Sequence, residues 1–123
     1  RETLDLSIRI NSEWSNFYSA MAYPGSQLYN FAREKKWILP DDKMGPGWIG
    51  YSQHAYETLP LPTENLKGSE VLDFRDEAFN IYFKNPDYLS MIKKTYGEKT
   101  VNHIKKMTDH KIKRKHHDVE VNY

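Results

Sequence analysis

Hydrophobic residues recur along this chain with two different periods, and these periods predict its elements. Aliphatic residues occupy every second position near the start: Leu4, Leu6, Ile8 and Ile10. The alternation favours a strand, but the same residues are also spaced at i and i+4, so a short helix remains open. Trp14–Ala22 then carries aromatic and small apolar residues, which predicts a strand that is covered on both faces.

A sharp turn and a helix follow this predicted strand. Pro24 cannot donate to a ladder, Gly25 allows conformations that other residues resist, and the Ser26 hydroxyl is placed to cap a helix. Four residues then recur at helical spacing: Leu28, Phe31, Ala32 and Lys35. This spacing predicts a helix over residues 26–36 whose apolar stripe folds back over the strand.

Residues 38–62 form one long irregular segment in this prediction, because proline, glycine and aspartate interrupt every candidate element. Aromatic side chains in and beside it indicate that it is pinned to a core rather than disordered. They are Trp37, Trp48, Tyr51 and Tyr56. Two interpretations stay open, since the segment is either a flap that faces a substrate or a packed connector.

The second half of the chain predicts helices. Residues 69–83 carry the widest apolar stripe, which follows the i, i+3, i+4, i+7 rule. Its members are Val71, Phe74, Ala78, Ile81 and Tyr82. Pro86 ends this helix, a short helix then runs to a left-handed cap at Gly97, and Thr100 is expected to cap a final helix.

Three segments resemble a known enzyme family. Residues 23–29, Tyr-Pro-Gly-Ser-Gln-Leu-Tyr, resemble the Tyr-Pro-Gly-Thr-Pro-Leu-Tyr segment found late in the barrel of radical SAM enzymes, particularly those with a cobalamin-binding domain upstream. Glu70–Phe79 and Tyr82–Leu89 are similar to the helical tail that follows the barrel in the same group. Gln27 departs from the pattern, since the family commonly has proline there.

The resemblance implies a fold class that is mainly α with one or few β-strands (α/β). The chain would be the C-terminal fragment of a radical SAM partial TIM barrel plus a helical extension. Its first segment would be a helix, because the family places one before this strand. Residues 1–37 would hold the last strand and helices of the barrel, 38–62 the aromatic-rich connector loop, 63–112 the helical extension and 113–123 a basic flexible tail.

The resemblance also implies a function for the longer enzyme, which would reductively cleave S-adenosylmethionine to modify an unactivated carbon by methyl transfer or cyclisation. It places Ala20, Met21, Ala22 and Tyr23 beside the adenine of S-adenosylmethionine, through flat apolar contact and backbone hydrogen bonds. The implied cofactors are S-adenosylmethionine and a 4Fe-4S cluster, with cobalamin as a further expectation. The implied partners are the upstream barrel of the same polypeptide and a small-molecule or lipid-like substrate.

This chain contains no cysteine, whereas the iron–sulfur cluster of the family is held by cysteine thiolates. We therefore expect a piece of a longer enzyme that is inactive alone and carries no bound cofactor by itself. The competing hypothesis is an autonomous helical module that binds a protein through its aromatic stripe and performs no chemistry.

Composition sets further limits. A chain of 123 residues is enough for one domain with a modest core. The net charge of +1 implies no overall attraction to nucleic acid or to a membrane surface, and no apolar run approaches the roughly 20 residues of a membrane span. A cytoplasmic location is the resulting expectation. Because a lone barrel strand has unpaired edges, the isolated chain is also expected to self-associate.

The sequence predicts neither a metal site nor a catalytic residue. His103 and His110 would lie roughly 10 Å apart along a helix, too far for one ion. The pair His116-His117 lies in a basic tail and is interpreted as solvated surface. Three carboxylates on the helix over residues 69–83 are interpreted as a solvated face: Asp73, Asp76 and Glu77.

Overall fold

The computed structural model describes residues 1–118, and this part of the chain contains six α-helices. They are α1 (Glu2–Ile10), α2 (Gln27–Glu34), α3 (Gly68–Phe83), α4 (Pro86–Tyr96), α5 (Glu98–Asp109) and α6 (Lys115–Asp118), with a short 3-10 helix at Trp48–Tyr51. No strand occurs within residues 1–118. The helical part of the predicted fold class is therefore confirmed, and the first segment is a helix as expected.

The first of two compact units comprises Arg1–Phe17 and Asp76–Lys111. Its core is aromatic, because α3 and α4 bury Tyr82, Phe83 and Tyr88 almost completely. The rings of Tyr82 and Tyr88 lie 5.1 Å apart, and Phe17 packs on Tyr82 at 5.7 Å. Phe83 also contacts the ring of Trp14 at 4.9 Å. These rings hold the residues after α1 against α3 and α4.

Two tyrosine hydroxyls in this core hold the backbone between α1 and Trp14. The Tyr82 hydroxyl donates to the Ser12 carbonyl at 2.5 Å, and the Tyr88 hydroxyl donates to the Glu13 carbonyl at 3.1 Å. Burial raises the pKa of Tyr88 to about 12, so this hydroxyl keeps its proton at every pH near neutrality. α5 packs against α4 and buries Val101 and Ile104.

The second unit comprises Tyr18–Arg75 together with the segment that begins at Ile112. Its apolar core consists of Ala22, Ala32, Leu39 and Leu61, against which Tyr29 and Trp37 pack. α2 packs on the preceding residues through Ala32, which is fully buried. The rest of its predicted apolar stripe is wrong, because Leu28 and Phe31 are 37% and 42% exposed and Lys35 is exposed. The predicted cap is confirmed, since the Ser26 hydroxyl accepts the Tyr29 N–H at 3.1 Å.

Helix ends after α3 follow local rules, with two exceptions. Asn85 caps α4 by accepting the Asp87 N–H at 2.8 Å, and Pro86 occupies the first turn, where its missing N–H costs nothing. Gly97 ends α4 at a positive φ of 84° as predicted, but its ψ of 173° lies outside the left-handed helical region, so the predicted left-handed cap is wrong. The cap predicted at Thr100 is wrong: Gly97 also begins α5, and Thr100 lies inside that helix, where its hydroxyl donates to the Tyr96 carbonyl.

The strand predicted at Trp14–Ala22 is wrong for the described chain. The segment has no regular element, and Tyr18, Ala20, Met21 and Ala22 make no backbone–backbone hydrogen bond within residues 1–118. Burial alternates over residues 17–21, with Phe17, Ser19 and Met21 buried and Tyr18 and Ala20 exposed, so the segment is not covered on both faces as predicted. A strand also requires a neighbouring backbone.

Residues 38–62 pack at both ends and expose their middle. Leu39, Leu59 and Leu61 are buried, whereas Met44 is 89% exposed and Trp48 is 72% exposed. Hydrogen bonds from Gly47 to Pro40 and from Leu59 to Gly50 close the segment on itself. The buried leucines near both ends thus fit the packed-connector interpretation, while Met44, Trp48 and Ile49 between them expose large apolar side chains.

The tail differs from the expected fraying as far as the structure describes it. Arg114 has no exposed surface, and α6 follows directly. The Lys115 N–H also donates to the Tyr56 carbonyl at 2.9 Å. The rest of the predicted flexible tail, 119–123, lies outside the described residues. No helix within residues 1–118 combines the length and apolar character needed to cross a membrane.

Candidate functional site

The four residues predicted to contact adenine lie where the extended segment runs into the turn before α2. Met21 and Ala22 point inward and are 7% and 2% exposed, and Ala22 belongs to the apolar core of the second unit. Ala20 is exposed, and Tyr23 is 50% exposed. Ala20 and Tyr23 are therefore accessible to a ligand, whereas Met21 and Ala22 are enclosed by the chain itself.

Gln53 holds this segment in its extended form. Its side-chain oxygen accepts the Ser19 N–H at 3.0 Å, and its side-chain amide donates to the Ser19 carbonyl at 3.0 Å. A single amide thus satisfies both backbone groups of Ser19, as a neighbouring strand would do. Ala20, Met21 and Ala22 have no such support within the described chain. Of these three residues only Ala20 is exposed, so only its N–H and C=O groups are accessible to a strand or a ligand.

The ring of Tyr23 is positioned by a second aromatic ring. It stacks on Tyr51 with 5.3 Å between centroids and 27° between planes. The Tyr51 hydroxyl in turn donates to one carboxylate oxygen of Asp41 at 2.6 Å, and the Tyr29 hydroxyl donates to the other at 2.7 Å. The turn at Tyr23 is thereby connected to α2 and to the start of the 38–62 segment.

Arg33 completes this network from the last turn of α2. It donates to the Tyr29 hydroxyl at 2.6 Å and pairs with Asp42. Its own pKa is raised by the hydrogen bond to Tyr29 first and by Asp42 second. Asp42 also accepts the Leu39 N–H at 2.7 Å, so this carboxylate closes the turn that begins the segment.

The electrostatics indicate that this network is a support rather than an acid–base pair. Hydrogen bonds from Tyr51 and then Tyr29 lower the pKa of Asp41. Burial first, and then the hydrogen bond to Asp41, raise the pKa of Tyr51. Asp41 therefore stays ionised and Tyr51 stays protonated around neutral pH, so neither exchanges a proton with a substrate there. Their role is to fix the ring on which Tyr23 stacks.

The residues present fit one of the implied cofactors and not another. The small exposed Ala20, with backbone groups that have no backbone partner, and the half-exposed Tyr23 ring suit a flat heterocycle with hydrogen-bonding edges. The chain contains no cysteine for an iron–sulfur cluster. Any cluster would therefore have to be bound by residues outside these 123.

A second group of polar side chains was not predicted. Asp73 on α3 and the two histidines of α6, His116 and His117, place their ligand atoms within 4.8 Å of one another. Asp73 stands 43 positions before His116 in the sequence, so no local spacing could have paired them. His103 and His110 are exposed and belong to no comparable group within residues 1–118, in agreement with their interpretation as surface residues.

Comparison with known proteins gave no match to this chain among protein-family models, curated proteins or solved structures.

Proposed function

We propose that this chain is the C-terminal part of a radical SAM enzyme, of the group that carries a cobalamin-binding domain. The complete enzyme would cleave S-adenosylmethionine reductively and modify an unactivated carbon by methyl transfer or cyclisation. The observation that carries the proposal is the extended segment Tyr18–Ala22. Its backbone groups, apart from those of Ser19, make no backbone–backbone or Gln53 hydrogen bond within the described chain, and it ends at the turn before α2.

This arrangement supports the proposal because a parallel barrel is built from strand, turn and helix units. The carboxyl ends of the strands form the mouth where ligands bind. In this chain Ala20 and Tyr23 are exposed at that end, while α2 packs behind the segment through Ala32. Neighbouring strands of the upstream barrel would pair with residues 18–22, and the adenine would lie against Ala20 and Tyr23.

The proposal assigns this chain a binding role and no reacting group. S-adenosylmethionine and a cluster supply the radical chemistry when bound, while residues 20–23 would orient the adenine by contact and backbone hydrogen bonds. The partners are the upstream barrel and a small-molecule or lipid-like substrate. The isolated chain should bind S-adenosylmethionine only weakly, because it holds one wall of the site.

The first test concerns the gene and the complete polypeptide. The encoding gene should continue upstream into three cysteines with three- and two-residue spacers, and the polypeptide reconstituted anaerobically with iron and sulfide should release 5′-deoxyadenosine from S-adenosylmethionine. A gene without the triplet would refute the proposal, as would a cluster-loaded protein that leaves S-adenosylmethionine intact.

The second test assigns the site. Ala20→Glu should weaken the binding of S-adenosylmethionine to the reconstituted polypeptide and leave the cluster spectrum unchanged, because the longer side chain would occupy the place of the adenine. Asn30→Glu, an equal charge change on the exposed side of α2, is the matched control and should bind normally. Equal affinities of the two variants would remove residues 20–23 from the site.

The second candidate function is a helical module that binds a protein partner. It is favoured by exposed apolar residues on α1, where Leu6 is 49% and Ile10 is 63% exposed. Surfaces of this kind mark interaction sites when they are contiguous. The gene decides between the candidates, since a module has no need of the cysteine triplet.

A further inference from the structure

Asp73, His116 and His117 converge at the surface of α3. The Nε2 atoms of His116 and His117 lie 2.8 Å and 2.9 Å from the same carboxylate oxygen of Asp73. The centroids of the two imidazole rings are 4.3 Å apart, and their planes are inclined at 64°. Two nitrogen ligands and one oxygen ligand therefore surround one point in space.

The fold holds this group together from both sides. Asp73 is fixed on a sixteen-residue helix, and Arg114 anchors the chain immediately before α6. The Arg114 guanidinium is buried and donates to the Gln53 carbonyl at 2.8 Å, the Thr58 hydroxyl at 2.9 Å and the Ala55 carbonyl at 3.0 Å. The single turn of α6 then presents both histidines to Asp73.

We propose that Asp73, His116 and His117 form a binding site for a divalent transition-metal ion of the zinc class. Imidazole nitrogen and carboxylate oxygen are the ligand types that zinc accepts, with bond lengths of about 2.0–2.2 Å. Tetrahedral ligands at that distance lie roughly 3.3 Å from each other. The observed N–O separations of 2.8 Å and 2.9 Å need to open by a few tenths of an ångström, and all three ligand atoms lie within 4.8 Å of one another.

The protonation of the ligands agrees with this site. Partial burial acts to raise the pKa of Asp73, but the hydrogen bonds from His116 and His117 outweigh it, so the pKa lies below its ordinary value and the group is a carboxylate at neutral pH. A bound ion would take the place of the hydrogen bonds that the two Nε2 atoms now make with this carboxylate. Three protein ligands leave the fourth tetrahedral position to water.

Neighbouring positive charge does not preclude the ion. Lys111, Lys113 and Lys115 precede the histidines, and the first two are exposed to solvent, where salt screens charges beyond about 8 Å. Asp73 supplies one negative charge in direct contact with the site. The His116 side chain is only 7% exposed, whereas that of His117 is 40% exposed. The site is therefore sheltered on one side and open on the other.

The expected consequence is that the ion ties α6 to α3. A ligand that binds only the folded chain stabilises it, and the stabilisation grows with the logarithm of the ratio of ligand concentration to dissociation constant. Zinc should therefore raise the melting temperature of the chain, and a chelator should reverse the rise. Magnesium should have no effect, because it prefers oxygen ligands in octahedral geometry.

Calorimetric titration with zinc chloride tests the proposal on the chain and its variants. Asp73→Asn and His117→Ala should each weaken zinc binding by at least about tenfold, since even groups that only support a metal ligand cost that much when lost. The matched control is the double variant His103→Ala/His110→Ala, which removes two exposed imidazoles elsewhere and should bind one zinc ion as the parent chain does.

Cobalt provides a readout that does not depend on stability. Because the chain has no cysteine, a tetrahedral cobalt spectrum can arise only from nitrogen and oxygen ligands, and it should vanish in His117→Ala. Circular dichroism checks that each variant keeps its helices. The test uses His117→Ala because the His117 side chain is more exposed than that of His116 and its loss should disturb the fold less. Failure of the parent chain to bind zinc, binding that survives Asp73→Asn, or binding lost in the control would overturn the site.

Discussion

Arg114 has the least expected environment of any residue in the described chain. It stands in a run of basic residues that predicts exposure, yet it is completely buried and bonded to three oxygens of the 53–58 segment. A guanidinium presents its donors in a rigid fork, so one side chain can satisfy acceptors from several residues at once. A lysine ammonium also has three donors, but all of them sit on one nitrogen and lack this planar fork.

We expect Arg114→Met to lower the free energy of unfolding by about 1–3 kcal/mol, because the Gln53 carbonyl and the Thr58 hydroxyl would lose the donor that Arg114 provides. Urea unfolding followed by circular dichroism measures the change. Lys113→Met, at an exposed neighbouring position, should leave the midpoint almost unchanged. Equal midpoints for the two variants would mean that Arg114 contributes nothing to the docking of the tail.

Asp41 makes a pH-dependent contribution whose sign follows from its hydrogen bonds. Tyr51 and Tyr29 donate to its ionised form and lower its folded pKa, while the unfolded pKa of an aspartate is about 3.9. The stabilisation is therefore complete above the unfolded pKa and is lost as the pH falls through the folded pKa.

We accordingly expect the free energy of unfolding of the parent chain to fall more steeply below about pH 4 than that of Asp41→Asn, which cannot ionise. Urea midpoints at several pH values measure both slopes. Glu34→Gln, an exposed change at the end of α2, should retain the slope of the parent chain. Parallel slopes for the parent and Asp41→Asn would show that the carboxylate gains nothing from its two tyrosines.

At the scale of elements, the sequence predicted the features that depend only on residues close together in the chain. The cap at Ser26, the break at Pro86 and the apolar stripe of α3 each depend on residues within a few positions, and the helices follow them. The strand at Trp14–Ala22 failed because pairing needs a second backbone, which no local pattern supplies. Thr100 failed because Gly97 had already begun α5.

The segment 38–62 is largely irregular, but its turn at Gly45 leaves no room for a side chain. A Cβ atom at Gly45 would lie 2.4 Å from the Pro40 carbonyl oxygen and 2.5 Å from that of Leu39. Both contacts are with backbone, which cannot move aside as a side chain would. The Gly45 N–H also donates to the Asp42 carbonyl at 2.8 Å, so the residue has little room to shift.

Gly45→Ala should therefore cost about 1–3 kcal/mol of stability, the usual range for overpacking. Thermal unfolding measures the loss, and Tyr51 fluorescence should change with it, because Asp41 in the same turn holds that ring. The control Lys43→Ala removes an exposed side chain two positions earlier and should melt like the parent chain. A variant Gly45→Ala with the parental melting temperature would show that the turn is loose.

At the scale of the whole molecule, the candidate sites have different origins in the sequence. The turn at residues 20–23 could be located because Pro24, Gly25 and Ser26 mark it, but which of its side chains are exposed depends on the core of Ala32, Leu39 and Leu61. The Asp73 group could not be located, because contacts between distant positions arise only from the complete fold. Local sequence signals thus locate the turn at residues 20–23, whereas the packing of the whole fold determines which of its side chains are exposed.

The extended segment gives the last prediction, which concerns the isolated chain. Tyr18 is 62% exposed, Ala20 is exposed, and their backbone groups make no backbone–backbone bond within residues 1–118. Exposed backbone of this kind pairs with other chains. We therefore expect the chain to self-associate with rising concentration, as sedimentation velocity would record.

Lysine on an exposed edge opposes such pairing by charge repulsion, so Tyr18→Lys/Ala20→Lys should shift the sedimentation profile toward monomer. Asn30→Lys on α2 adds charge at an exposed position away from the segment and should associate as the parent does. A parent chain that stays monomeric, with amides of residues 17–21 protected from hydrogen exchange, would mean that the segment is already satisfied within its own fold. In that case the open edge on which the proposed barrel contact rests would not exist.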